Sequence, residues 1–148
     1  MEITKSFTDK LNTLLATYQI HYQNLRSLHW NIKGEHFFEL HVKYEELYGR
    51  AQIIIDDLAE RILSVEETPM HRLQDYLETS LIKENKTISA GKEGIAYILS
   101  AQKTILELER DLLRESADLN DEGTNALMSD LVREKEKTNW MLAAWLNR

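Results

Sequence analysis

The sequence predicts an all-α protein: a bundle of four long helices with a short extra helix in the long crossover between helices 2 and 3. Three observations carry this. Glycine (five) and proline (one) are scarce while 43% of the residues are apolar, a composition that favours helices over strands or disorder. Apolar residues recur at three- and four-residue steps over four long stretches. The breaks between those stretches are two short turns and one connection, residues 65–88, long enough to cross a bundle.

Each element follows from its own pattern. From Phe7 to about Ile32, the positions Leu11, Leu14, Leu15, Tyr18, Tyr22, Leu25 and Leu28 make one amphipathic stripe, and Gly34 is placed to end it in a left-handed cap. A second stripe starts near Glu35 and runs through Phe38, Val42, Leu47, Ile54, Leu58 and Ile62 to about Ser64, with Pro69 as the breaker. "HRLQDYLETS" is a short amphipathic piece inside the crossover. Ser89 is the expected N-cap of a third long helix reaching about Leu119, and Asn120 or Asp121 caps the fourth, which runs to about Trp145. At roughly 25 residues each, the long helices span about 38 Å.

Composition bounds the function. At 148 residues the chain suits one domain over 1–148, with a substantial core. The net charge of −7 offers no general attraction to DNA or anionic membranes and favours the gathering of cations. The absence of cysteine excludes disulfides, thiolate metal sites and cysteine nucleophiles. The start, "MEITKSFTDK", has no secretion-signal pattern and no stretch approaches a membrane span, so a cytoplasmic location is expected.

The chemistry concentrates at "HWNIKGEHFFELHVKYEEL", residues 29–47, which holds three of the five histidines and four glutamates. If the first two helices turn near Glu35, His29 and His41 lie six residues either side of it and meet at one height. Farther along the second helix, Glu45, Asp56 and Glu60 fall about 40°, 60° and 100° round from His41, all on one face. One copy cannot gather them, because Asp56 lies about 22 Å along the helix from His41. Two copies can. With the second helix antiparallel to itself across a two-fold axis near residue 50, His41 meets Glu60 of the other copy and Glu45 meets its Asp56. Gly49 and Ala51 are expected to let the two backbones approach there. Imidazole and carboxylate without sulfur suit iron or manganese, and also accept zinc.

Plainer accounts exist for the same residues. Asp56 and Glu60 also read as a solvated face, with Glu60 pairing to Arg61 or Arg50; His41 also reads as a surface histidine, and His29 beside Trp30 as a packed one. Trp140, Met141 and Trp145 read as core or subunit contact. His21, His36 and His71 have no partner pattern.

"SLHWNIKGEHFFELHVKYEELY" followed by "DDLAERIL" resembles the Dps family, the DNA-protection-during-starvation branch of the ferritin-like superfamily. The likeness continues through "TPMHRLQDYLETSLIKE", the "DEGT" turn and "NWMLAAWL". It implies a ferritin-like four-helix bundle and a hollow shell of twelve subunits. In it, Fe²⁺ is oxidised between two-fold partners and stored as a ferric mineral, which protects DNA and cell from oxidative damage. The family's ligands fall on His29, His41 and Glu45 of one subunit, with Asp56 and Glu60 of the other; Glu45 stands where Asp is frequent. Fe²⁺ would sit on Asp56 and Glu60 with a partner His29, while His41 and Glu45 hold a second, weaker ion or a bridging water. Hydrogen peroxide is the implied oxidant, dioxygen the slower one, and zinc or manganese are competitors. Trp30 is the implied electron donor, alternatively a packing residue. Asp121, Glu122 and Asp130 are candidate pore residues, although acids at a helix start are also ordinary capping chemistry.

The chain departs from DNA-binding members of the family, which carry a basic tail; its first ten residues hold two lysines against two acids, so DNA binding is expected to be weak or absent. A ferritin proper or a di-iron oxygenase builds its site inside one bundle from Glu-x-x-His pairs, and no histidine here has Glu three positions before it. A non-redox metal-binding protein and a surface-recognition shell of the same fold remain as alternatives.

Overall fold

The computed structural model describes residues 3–148. Five helices and, among the described residues, no strand make up the chain: α1 (Lys5–Asn31), α2 (Phe37–Ser64), α3 (Leu73–Thr79), α4 (Gly91–Asp118) and α5 (Glu122–Trp145). α1 packs on α2 and α4 on α5, and α1 also meets α3 and α4. The four long helices form the bundle and α3 is the short helix of the crossover, as the periodicity predicts. Phe7, Leu11, Leu14, Leu58, Ile62, Ile95, Ile98, Ile105 and Leu112 are wholly buried in its core, each contributing roughly 1.5–3 kcal/mol of transfer free energy.

The helix ends show where local chemistry decides. Thr4 caps α1 by accepting from the Phe7 backbone N–H at 3.2 Å. α1 stops at Asn31, with Ile32 as its C-cap, so Gly34 does not cap the helix. Instead, at φ +97°, it reverses the chain, and its carbonyl accepts from the Phe37 N–H at 3.1 Å. Ser89 does not cap α4 either: Ala90 holds that position without a side-chain bond. The Ser89 carbonyl instead accepts from the Lys33 N–H at 3.0 Å, tying the end of the crossover to the α1–α2 turn. Asp121 does cap α5. Its Oδ1 accepts from the Thr124 N–H at 3.1 Å and from Arg61 Nη2 at 2.8 Å. With 1% of its surface exposed and its carboxylate committed to Arg61, Asp121 is not a pore residue. Glu122 and Asp130 are exposed.

The crossover is pinned to α1 by buried polar side chains. Asn12 donates to the Thr68 carbonyl at 3.2 Å and accepts from the Met70 N–H at 2.7 Å. Thr17 accepts from Leu81 N–H at 3.0 Å. Asn24 donates to the Lys83 carbonyl and accepts from Asn85 N–H, both at 3.0 Å. Each bond satisfies a backbone group that the irregular connection leaves unpaired. No helix among the described residues is long and apolar enough to cross a membrane.

Candidate metal centre

The α1–α2 hairpin positions the two histidines. Gly34 lets the chain turn within a few residues, and the antiparallel register brings residues equidistant from Glu35 together: His29 meets His41, and Tyr22 meets Tyr48. The imidazoles stack with centroids 3.7 Å apart and planes 15° from parallel. Each ring donates to the other residue's backbone. His29 Nδ1–H donates to the His41 carbonyl at 2.6 Å, and His41 Nδ1–H to the His29 carbonyl at 2.8 Å. A carbonyl only accepts, so both rings carry their proton on Nδ1 and leave the Nε2 lone pair for a ligand. The His29 carbonyl belongs to the last turn of α1, so the His41 ring also satisfies a group that the helix end leaves open.

Around this pair, Phe37 stacks on His41 with centroids 5.0 Å apart and Tyr48 packs T-shaped with His29, centroids 5.4 Å apart. His29 is buried and His41 half-buried, while Glu45, one turn beyond His41, is exposed and brings Oε1 within 3.7 Å of His29 Nε2. His29, His41 and Glu45 therefore share one end of α2. Asp56 and Glu60 share the other end, one turn apart and both exposed. Asp56 holds the Glu60 carboxyl above its usual range, by hydrogen bond first and by like charge second. Two acids competing for one proton form an arrangement that a cation relieves. Among the described residues, no three imidazole or carboxylate groups of the single chain converge on one point suited to an ion.

The same face of α2 carries exposed apolar side chains beyond each half-site. Phe38 is 84% exposed and Leu63 58%, and these two are as far from the midpoint of residues 50 and 51 as each other. Large apolar side chains left in solvent mark an interaction surface. Gly49 lies on this face with open space where a Cβ would be. Ala51 does not: it is buried in the bundle core, about 160° round the helix from Gly49 on the short side. Trp30 points outward at 57% exposure with the Arg26 guanidinium 4.9 Å from its ring centroid. At the other end of the chain Trp140 is exposed, whereas Trp145 packs against the core and makes a T-shaped contact with His36, centroids 5.0 Å apart.

Sequence reasoning missed a second polar cluster at the centre of the bundle. Tyr18 Oη donates to Glu109 Oε2 at 2.8 Å, and Lys135 Nζ donates to Tyr18 Oη at 2.5 Å and lies 3.5 Å from Glu109 Oε1. Burial raises the Glu109 carboxyl and lowers the Lys135 ammonium, and their mutual attraction opposes both shifts. Ferritin-like bundles with intra-chain centres also bury carboxylates in the bundle core, beside metal ions; here an ammonium supplies the positive charge. His21 lies alongside, its Nδ1 3.4 Å from Tyr97 Oη. Burial first, and the Lys135 charge second, lower its pKa to about 3. The unfolded chain takes up this proton near pH 6.5 and the folded chain does not, so stability falls as pH drops from 6.5 towards 3. Urea melts at pH 5 and pH 8 should differ by about 2 kcal/mol on this account, a difference that His21→Gln removes.

Comparison with known proteins agrees with this architecture. The family model described as ferritin-like domain matches residues 8–148. "DNA protection during starvation protein 2" of Bacillus anthracis is 34% identical, with 99% of this chain and 100% of that protein covered. The chain belongs to the Dps family. The DNA protection during starvation protein of Porphyromonas gingivalis is 35% identical, over 93% of this chain and 87% of its own. The crystal structure of the Dps protein from Vibrio cholerae O1, described as a member of a broad superfamily of ferritin-like diiron-carboxylate proteins, superposes with a TM-score of 0.94. It is 46% identical, with 96% of this chain and 89% of that one covered. The Dps fold therefore accounts for the hairpin, the crossover helix and the capped fourth long helix alike.

Proposed function

We propose that this Dps chain, acting as one domain over 1–148, is a ferroxidase and iron-storage protein. It oxidises Fe²⁺ at centres shared by two-fold partners and keeps the ferric product inside a closed dodecamer, thereby protecting DNA and cell. The observation that carries this is the reciprocal histidine pair. Both Nδ1 atoms are spent on backbone carbonyls, so the two rings are held in place and turn their Nε2 atoms away from those bonds, open to a ligand. Docking α2 antiparallel to its copy sets His29, His41 and Glu45 of one protomer opposite Asp56 and Glu60 of its partner, and covers Phe38 with Leu63.

In that centre the two carboxylates balance the charge of a ferrous ion and an imidazole completes its hold, leaving open positions for the oxidant. Hydrogen peroxide accepts one electron from each of two ferrous ions and leaves as water, without releasing hydroxyl radical. Dioxygen is the slower oxidant, and zinc or manganese would compete for the same ligands. The net charge of −7 per chain supports weak or absent DNA binding in the cytoplasm.

Anaerobic Fe²⁺ titration followed by peroxide tests the reading. Two Fe²⁺ should be consumed per peroxide, and Asp56→Ala should abolish the reaction while sedimentation still finds a particle of about 200 kDa. Iron that binds without any peroxide loss would make this a non-redox metal-binding shell instead.

A further inference from the structure

α2 packs on α1 and α5 packs on α4, but α2 and α5 do not pack closely on each other, and between them lies a cavity of about 210 Å³. It is separate from the metal centre. Arg50 and Ile54, which line it, lie about 180° and 140° round the helix from His41. The cavity is smaller than the roughly 300–1,000 Å³ of a drug-sized pocket, so it suits a ligand of few non-hydrogen atoms.

The back wall is polar and buried. Gln102 is 7% exposed, and its Oε1 has no hydrogen-bond partner among the described residues. A buried acceptor of this kind is satisfied by water or by a ligand. Lys135, equally buried, gives one N–H to Tyr18 Oη, while Glu109 Oε1 at 3.5 Å takes no hydrogen bond from it, so further N–H groups remain. At the mouth Arg50 meets Glu134 through Nε alone, at 2.8 and 3.1 Å, and among the described residues its Nη hydrogens have no partner. Burial does most to lower the Lys135 ammonium and the Arg50 charge adds to it, so an anion in the cavity relieves both cations. Two carboxylates also line the cavity, but each is paired with a cation there, Glu46 with Lys43 at 3.4 Å and Glu134 with Arg50. Leu47, Ile54 and Ile105 supply an apolar wall that an inorganic anion would leave unused.

We propose that this cavity binds a small hydroxycarboxylate, its carboxylate held by Arg50 and Lys135, its hydroxyl donating to Gln102 and its carbon skeleton against Leu47, Ile54 and Ile105. Each part of the ligand answers a group that the protein leaves open. A guanidinium and an ammonium take a carboxylate through charge-assisted hydrogen bonds. A hydroxyl donates to the Gln102 amide oxygen without adding charge, whereas a plain carboxylate leaves that oxygen unpaired. None of these residues belongs to the imidazoles or acids of the metal centre, so binding is independent of iron.

Saturation-transfer nuclear magnetic resonance of the whole iron-free assembly tests this, with lactate as the probe. The lactate methyl protons should receive saturation from the protein, and the titration should reach a plateau with a dissociation constant of about 1 mM. Propionate, which lacks only the hydroxyl, should bind about tenfold more weakly. Gln102→Met fills the same space without the amide and should weaken lactate to the level of propionate. Arg50→Gln should weaken both acids about tenfold. Sedimentation should find both variants at the parental size. Absence of saturation transfer to either acid overturns the proposal. So does lactate binding that neither variant weakens, which marks an adventitious contact elsewhere. Displacement of lactate by an equal concentration of phosphate overturns it too, because the site would then take any oxyanion.

Discussion

An assembly mixed from two inactive variants should recover about a quarter of the parental rate of iron oxidation, which follows from the geometry of an isologous pair. One variant carries His29→Gln and His41→Gln; the other carries Asp56→Asn and Glu60→Gln. Alone, each lacks one half of every centre and should be inactive. When the two are unfolded together and reassembled, random pairing makes half of the α2 pairs mixed. A mixed pair has one centre with both halves intact and one with both halves broken. Half of the pairs with half of their centres restored gives the expected recovery. Glutamine at 29 and 41 keeps a donor for the backbone carbonyls, so the hairpin survives the test. No recovery in an assembly of parental size would mean that the imidazoles and the acids never serve a common ion.

Lys135→Met should cost about 3–5 kcal/mol, because it removes one partner of a buried pair and leaves the other charge uncompensated. Glu109 is wholly buried and Lys135 nearly so. With the ammonium gone, only the Tyr18 hydrogen bond opposes burial at Glu109, which must either fold protonated or carry a charge without a counter-ion in the core. A melting temperature lower by about 10 °C or more is expected for a chain of this size. Adding Glu109→Leu should restore much of the loss, since apolar groups of similar volume replace buried ion pairs at little cost. A single Lys135→Met variant that melts with the parent would show that the pair contributes nothing.

The fold was legible because amphipathic stripes, a glycine turn and an aspartate cap all act within a few residues of one another. The hairpin symmetry about Glu35 placed His29 beside His41 correctly. The same symmetry, carried thirteen residues either side to Tyr22 and Tyr48, would have found the aromatic neighbours too. Ser89 misled because capping preference is weak against a tertiary bond, and its carbonyl is taken by Lys33. Ala51 misled because small size does not tell which face a residue occupies, and about 200° of rotation separates it from Gly49. Asp121 looked like a pore acid until Arg61, sixty residues earlier, claimed it. Lys135 left a trace: it interrupts the apolar run Met128, Leu131, Leu142, as Glu109 interrupts Ile105, Leu108, Leu112. One unlike charge inside the buried stripe of each of two helices is a readable sign of a core ion pair.

Each imidazole is latched to the backbone of the opposite helix, so the ring orientations are a property of the bend and not of the cargo. Loosening residues 32–36 would unlatch both rings at once, and a captured cation must reciprocally stiffen that bend. Amide protons there would exchange more slowly with metal aboard, which gives a readout of occupancy even for ions that undergo no chemistry.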